Sequence, residues 1–95
     1  MFLKLNHQQL EVYKASLNYV VECYRFCTQL PAEEKYGMIN QIKKAALSVH
    51  LNIAEGASRK SPTERKRFYE ISRSSMVEND AAMDIADKLG FLKNS

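Results

Sequence analysis

The chain has 95 residues, 45% hydrophobic and 26% charged, with three Gly and two Pro. That leaves room for one domain and excludes a large enzyme with separate cofactor and substrate domains, while so few breakers exclude an all-β sandwich of short strands. The net charge of +3 is unevenly placed: residues 43–73 hold eight Lys or Arg against Glu55, Glu64 and Glu70, a net +5, whereas residues 1–42 sum to zero and residues 74–95 to −2.

Periodicity predicts three helices, over about residues 7–29, 36–57 and 62–89, in one domain spanning 1–95. In the first, Leu10, Tyr13, Leu17, Val20, Tyr24 and Cys27 step by three and four and form the expected inward stripe. Leu30-Pro31 ends it, since proline disfavours helix in the residue before it. The second helix carries Ile39, Ile42, Ala46, Val49, Ile53 and Gly56, flanked by Ala45 and Ala54. Several of these are small, so neighbouring backbones can approach closely. The third has the clearest start: Ser61 as cap, Pro62 at the first helical position and Glu64 three residues after the cap. Its stripe is Phe68, Ile71, Ser75, Ala82, Ile85 and Leu89, and Gly90 is its expected stop. Tyr69, Met76 and Met83 form a second stripe at seven-residue spacing, which calls for a second set of neighbours. Short loops make the helices antiparallel, an up-down-up bundle.

Lys43, Lys44, Arg59, Lys60, Arg65, Lys66 and Arg67, with Arg73 beyond them, are the candidate phosphate contacts for RNA or DNA. The competing reading is a solvated helix surface, partly paired by contacts such as Lys66 with Glu70. Asn52 and Glu55 flank the second helix's small stripe, and Glu78 falls on the inward pattern of the third. Counting across the antiparallel turn sets Asn40 or Gln41 level with Glu78, and Ser48 with Glu70. Ser48, Asn52, Glu55 and Glu78 therefore read as a structural polar layer that fixes register. Reading Glu55 or Glu78 as general acid and base would need a nucleophile or a His beside them, and the pattern supplies neither.

Cys23 and Cys27 share one helical face and read as reduced core residues rather than half of a zinc site. His50 reads as a surface or partly buried histidine. No metal motif, phosphate-binding glycine loop or nucleophile elbow is present in the sequence. The expectation is a non-enzymatic protein without cofactor. Residues 1–6 lack a signal-like apolar region, and no apolar run approaches the ~18 residues of a membrane span, so a cytoplasmic location is expected.

The strings Glu34-Lys35-Tyr36-Gly37, Gln41-Ile42-Lys43-Lys44-Ala45-Ala46-Leu47-Ser48-Val49 and Asn52-Ile53-Ala54-Glu55-Gly56 strongly resemble a bacterial four-helix bundle family encoded in intervening sequences of 23S ribosomal RNA genes. The resemblance runs from Leu10-Glu11-Val12-Tyr13 through Arg59-Lys60-Ser61 and Phe68 to Leu89-Gly90-Phe91-Leu92. It implies antiparallel helices and ring-shaped homo-oligomers, often pentamers. The accessory protein of diversity-generating retroelements is similar in fold, and it binds nucleic acid and a reverse transcriptase through a basic pentameric ring. Members usually continue into a fourth helix after Gly-Tyr-Leu, whereas this sequence stops at Phe91-Leu92-Lys93-Asn94-Ser95. Asn79 and Asp84 stand where apolar residues are usual, and His50 where proline is common. The expectation is a three-helix bundle whose third helix has an open face, made less costly by Asn79 and Asp84 and covered by another chain.

Overall fold

The computed structural model describes residues 11–92. Three antiparallel helices make up the fold: α1 over Glu11–Cys27, α2 over Met38–Ser58 and α3 over Pro62–Lys88. The expected start of the first helix near residue 7 lies outside the described residues. Its end comes two residues before Gln29, because the amides of Thr28, Gln29 and Leu30 bond three residues back and tighten the chain ahead of Pro31. A short 3₁₀ turn over Ala32–Glu34 follows. Glu34 Oε1 then accepts from the amide of Met38, the first residue of α2, at 3.3 Å and satisfies one of that helix's free N-terminal donors. At the other turn, Ser61 caps α3 by accepting from the Glu64 amide at 3.4 Å, with Pro62 opening the helix. Gly90, at φ +76°, ends α3 in a Schellman motif: its amide bonds Asp87 O, and that of Phe91 bonds Ala86 O. This turn folds Phe91 and Leu92 back onto the core.

The middle helix is central. It packs on both others, whereas no Cα of α1 lies within 8 Å of a Cα of α3 among the described residues. Ile42, Ala45, Ala46, Val49, Ile53 and Gly56 are buried along it. Full burial of Ile42 and Val49 contributes about 1.5–3 kcal/mol each. Cys23, Cys27, Leu30 and Ala86 close on Ile42 and Ala46 to form the main core, at the end where α1 and α3 finish. Both cysteines are free thiols.

Two of the three expected inward stripes hold only in part: Cys27 is buried and Val20 and Ala82 pack against the core, but the buried face of each helix is rotated away from the larger apolar residues. On α1 the buried residues are Ser16, Cys23 and Cys27, while Leu17 and Tyr24 are exposed. On α3 they are Ser72, Asn79 and Ala86, while Ile71, Ile85 and Leu89 are exposed. The cause is distance. Residues facing α2 must be small for the backbones to approach, so serine, cysteine and alanine win those positions over larger apolar residues. Gly56 shows the tightest approach: a Cβ there would stand 2.7 Å from Tyr69 Cε1 and 3.2 Å from Phe68 Cβ.

The polar layer also differs from expectation. Ser48 and Asn52 do belong to it: Asn52 Nδ2 donates to Ser48 O at 2.8 Å, and the Ser75 hydroxyl donates to Ser48 Oγ at 2.9 Å. Ser48 thus meets Ser75, not Glu70. Ser72 donates to Val49 O at 2.8 Å. Glu55 and Glu78 are exposed. Burial of either carboxylate would need a matched charge, and Asn79, one residue along from Glu78, takes the inner position instead. Asn79 is fully buried, not a softener of an open face, and its Nδ2 donates to Ile42 O at 3.2 Å. Glu78 meets Gln41 at the surface, where Gln41 Nε2 donates at 3.3 Å, the register expected from the turn.

With α2 as floor, α1 and α3 bound an apolar trough. One stretch of about 200 Å³ lies between Val12, Ser16 and Tyr19 of α1 and Ser72 and Met76 of α3. Another of about 380 Å³ lies between Tyr19, Cys23 and Phe26 of α1 and Met83 of α3. Met76 and Met83 of the second stripe thus lie on the trough side of α3, whereas Tyr69 packs over Gly56 of α2 and lines a separate groove with Arg65, Lys66 and Arg73. No helix among the described residues is long and apolar enough to cross a membrane.

Candidate nucleic-acid interface

The turn between α2 and α3 brings five of the seven candidate cations to one end of the bundle. Arg59 follows the last residue of α2 in extended backbone, which turns its side chain toward the first turns of α3. There its guanidinium lies 5.0 Å from the centre of the Phe68 ring, and that of Arg67 lies 5.6 Å from the same centre. A ring quadrupole attracts cations at this range, so Phe68 holds two like charges close together. Arg59 also pairs with Glu55 at 2.7 Å, both partly exposed. This is the actual role of Glu55: it neutralises part of one arginine at the surface.

Arg65 is fixed by the backbone. Its Nη1 donates to the carbonyls of Arg59 at 2.9 Å and Lys60 at 2.8 Å. Those carbonyls end α2 and open the turn, so Arg65 ties the loop to α3. Lys66 reaches Glu70 at 3.9 Å, a solvated pair of little energetic weight. Lys60, Arg67 and Arg73 have no ion-pair partner among the described residues. Arg73 joins Arg65, Lys66 and Tyr69 around a shallow groove of about 410 Å³ on α3.

Lys43 and Lys44 are elsewhere. They sit near the start of α2, about 24 Å from Arg59 at 1.5 Å per residue. Lys43 is half-buried, with its ammonium 4.9 Å from the centre of the Tyr24 ring, and Lys44 is exposed. His50, whose Nδ1 lies 2.8 Å from Ser16 Oγ, stacks obliquely on Tyr13 and is partly buried. No group of three or more His, Cys, Asp or Glu among the described residues could hold a metal ion.

Residues 8–95 match the family described as 23S rRNA-intervening sequence protein. The chain belongs to that family. Comparison with curated proteins returns no match. Within this family member, the pairing of Arg59 and Arg67 on Phe68 was not visible in the sequence. Arg67-Phe68 adjacency was the only local signal, and Arg59 joins them through the turn. The capping role of Arg65 was equally hidden, because it depends on where the Arg59 and Lys60 carbonyls point.

Proposed function

We propose that this family member is a non-enzymatic, self-associating helical protein that binds phosphates of RNA or DNA through the basic end of its bundle. One observation carries the reading: Arg59 and Arg67 share the Phe68 ring beside Lys60, with Arg65 and Lys66 one turn away. Lys60 and Arg67 are the principal contacts, since neither has an ion-pair partner among the described residues. Phosphate recognition of this kind needs positive side chains at the right reach and is tolerant of sequence. Lys43 and Lys44 extend the contact along α2 to a longer nucleic acid.

Binding of a fluorescent RNA or DNA across a salt series tests the proposal. Contact of all five cations of the basic end with phosphates of duplex DNA gives a slope of log K against log salt on the order of −4 to −5. Charge reversal at Lys60 and Arg67 together should flatten that slope by about two contacts' worth. No binding at low salt, or a slope near zero, overturns it. A second reading rests on Met76, which stands 41% exposed at the apolar trough. There the chain would be an interaction module, such as an accessory subunit of a reverse transcriptase, and a reverse-transcriptase gene beside this one would be its mark.

A further inference from the structure

The shallow groove of about 410 Å³ on the first turns of α3 combines an aromatic ring with three cations. Tyr69 and Pro62 supply its apolar wall, and Arg65, Lys66 and Arg73 supply its charge. Glu70 also lines it, with its carboxylate 3.9 Å from Lys66. Tyr69 is half-buried because one edge of its ring packs over Gly56, where Cε1 and Cδ1 would stand 2.7 and 3.0 Å from an added Cβ. That contact holds the ring in place while the rest of it borders the groove. No Lys or Arg stacks on Tyr69 among the described residues, in contrast to Phe68. Arg65 and Arg73 stand four residues before and four after Tyr69, so the three share one face of the helix. Arg65 is anchored at the loop end by the Arg59 and Lys60 carbonyls. Arg73 is exposed at the other end, about 12 Å along the helix, with no ion-pair partner among the described residues.

We propose that this groove takes an unpaired nucleotide of a single strand, its base stacked on Tyr69 and its flanking phosphates on Arg73 and on Arg65 with Lys66. Every base has a flat π face, so stacking on an aromatic ring adds affinity without reading sequence. In a duplex those faces are covered by the neighbouring base pairs, and Tyr69 has nothing to stack on. Charge alone gives the opposite preference, because a duplex releases more counterions per contact than a single strand. Preference for the single strand is therefore the mark of the ring. A strand fits better than a free nucleotide, since every residue lining the groove is exposed or half-buried and no buried polar group is there to grip a ribose or a base edge. Affinity must then come from successive phosphates, and Lys60, whose carbonyl holds Arg65 at 2.8 Å, stands beside the groove to take the next one. The inference rests on the phosphate binding proposed above and names the class of nucleic acid. It also gives a role to Arg73, which lies outside the pair of arginines on Phe68.

Fluorescence anisotropy of the full chain with labelled single-stranded, duplex and abasic DNA of equal length, over a salt series, tests it. The single strand should bind more tightly than the duplex. The abasic strand keeps the phosphates but lacks the bases, and should bind about tenfold more weakly than the normal strand. Tyr69→Leu keeps an apolar side chain over Gly56 and removes the ring, so it should lose about tenfold on the single strand with the salt slope retained. Tyr69→Phe should bind the single strand as the unaltered chain does. Arg73→Ala should instead lower the single-strand slope by about 0.7, one phosphate contact's worth. Circular dichroism confirms folding of each variant, and the abasic comparison needs no variant at all. Preference for the duplex, or equal binding of normal and abasic strands, overturns the stacking site while phosphate binding stands. A free nucleoside monophosphate that competes at the strand's own concentration overturns the assignment to a strand. If no nucleic acid binds at low salt, both proposals fall.

Discussion

Tyr19, Cys23 and Asn79 form a small polar group between α1 and α3, and burial governs its chemistry. Asn79 Nδ2 faces Cys23 Sγ at 3.8 Å, while its buried Oδ1 has no hydrogen-bond partner among the described residues. Such an unmet acceptor costs about 1–3 kcal/mol. Burial pushes the Tyr19 phenol from 10.0 up to about 12, partly offset by the Asn79 amide, and pushes the Cys23 and Cys27 thiols up as well. The sign follows from linkage: the fold favours the neutral phenol. That contribution is whole below pH 10, the unfolded value, and is lost as pH rises through about 12. Tyr19→Phe should therefore lose less stability than the unaltered chain between those two values. Denaturant titrations at a series of alkaline pH values check this, and equal losses in the two proteins would refute it. The sequence placed both cysteines in the core correctly but could not show Asn79 among them, because a lone asparagine in an apolar pattern reads as surface.

At the scale of the helices, legibility followed residue size. The middle helix was legible almost residue by residue, since its inward positions are apolar and separated by polar ones. The cap and stop signals of α3 were equally local and matched, because Ser61, Pro62 and Gly90 act through their own backbone neighbours. The inward faces of α1 and α3 were legible only in part: Cys27, Val20 and Ala82 of the expected stripes are buried or pack against the core, and the larger apolar members do not. Ile85 is 52% exposed and Leu17 is 49% exposed, whereas Ser72 and Ser16 are buried. A hydrophobic pattern ranks leucine and isoleucine first, but a close helix contact ranks small side chains first. Gly56 tests that contact directly. Gly56→Ala should gain up to about 1 kcal/mol of helix propensity and lose about 1–3 kcal/mol to overpacking against Phe68 and Tyr69. The net expectation is destabilisation, read as a lower melting temperature. Adding Tyr69→Ala, which removes the 2.7 Å clash, should reduce the further cost of Gly56→Ala. A higher melting temperature for Gly56→Ala alone would show that the rings yield freely.

For the molecule as a whole, helix direction separates the charges. The antiparallel turn gathers Arg59, Lys60, Arg65, Lys66 and Arg67 at one end, and the length of α2 carries Lys43 and Lys44 toward the other. Short and long nucleic acids should therefore report different residues. Lys43→Ala with Lys44→Ala should scarcely change affinity for an oligonucleotide of a few nucleotides, whereas Lys60→Ala with Arg67→Ala should weaken it. On a duplex long enough to span about 24 Å, both pairs should matter, each lowering the salt slope by up to about 2. Equal effects of the two pairs on the short ligand would contradict a single basic end. The same directionality makes α1 and α3 parallel to each other and opens the trough between them.

The sequence by itself determined the helices, their order, the α2 core and the segment that holds the excess positive charge. Those properties are set by residues within a few positions of one another, through capping, periodicity and composition. Only the tertiary structure decided which face of α1 and α3 turned inward, that Glu55 and Glu78 stayed at the surface, and that Phe68 lies between two arginines. These depend on how closely α2 is approached and on which groups the turn carries together. Such distances are properties of packed helices, and a pattern of hydrophobic residues along one chain does not contain them.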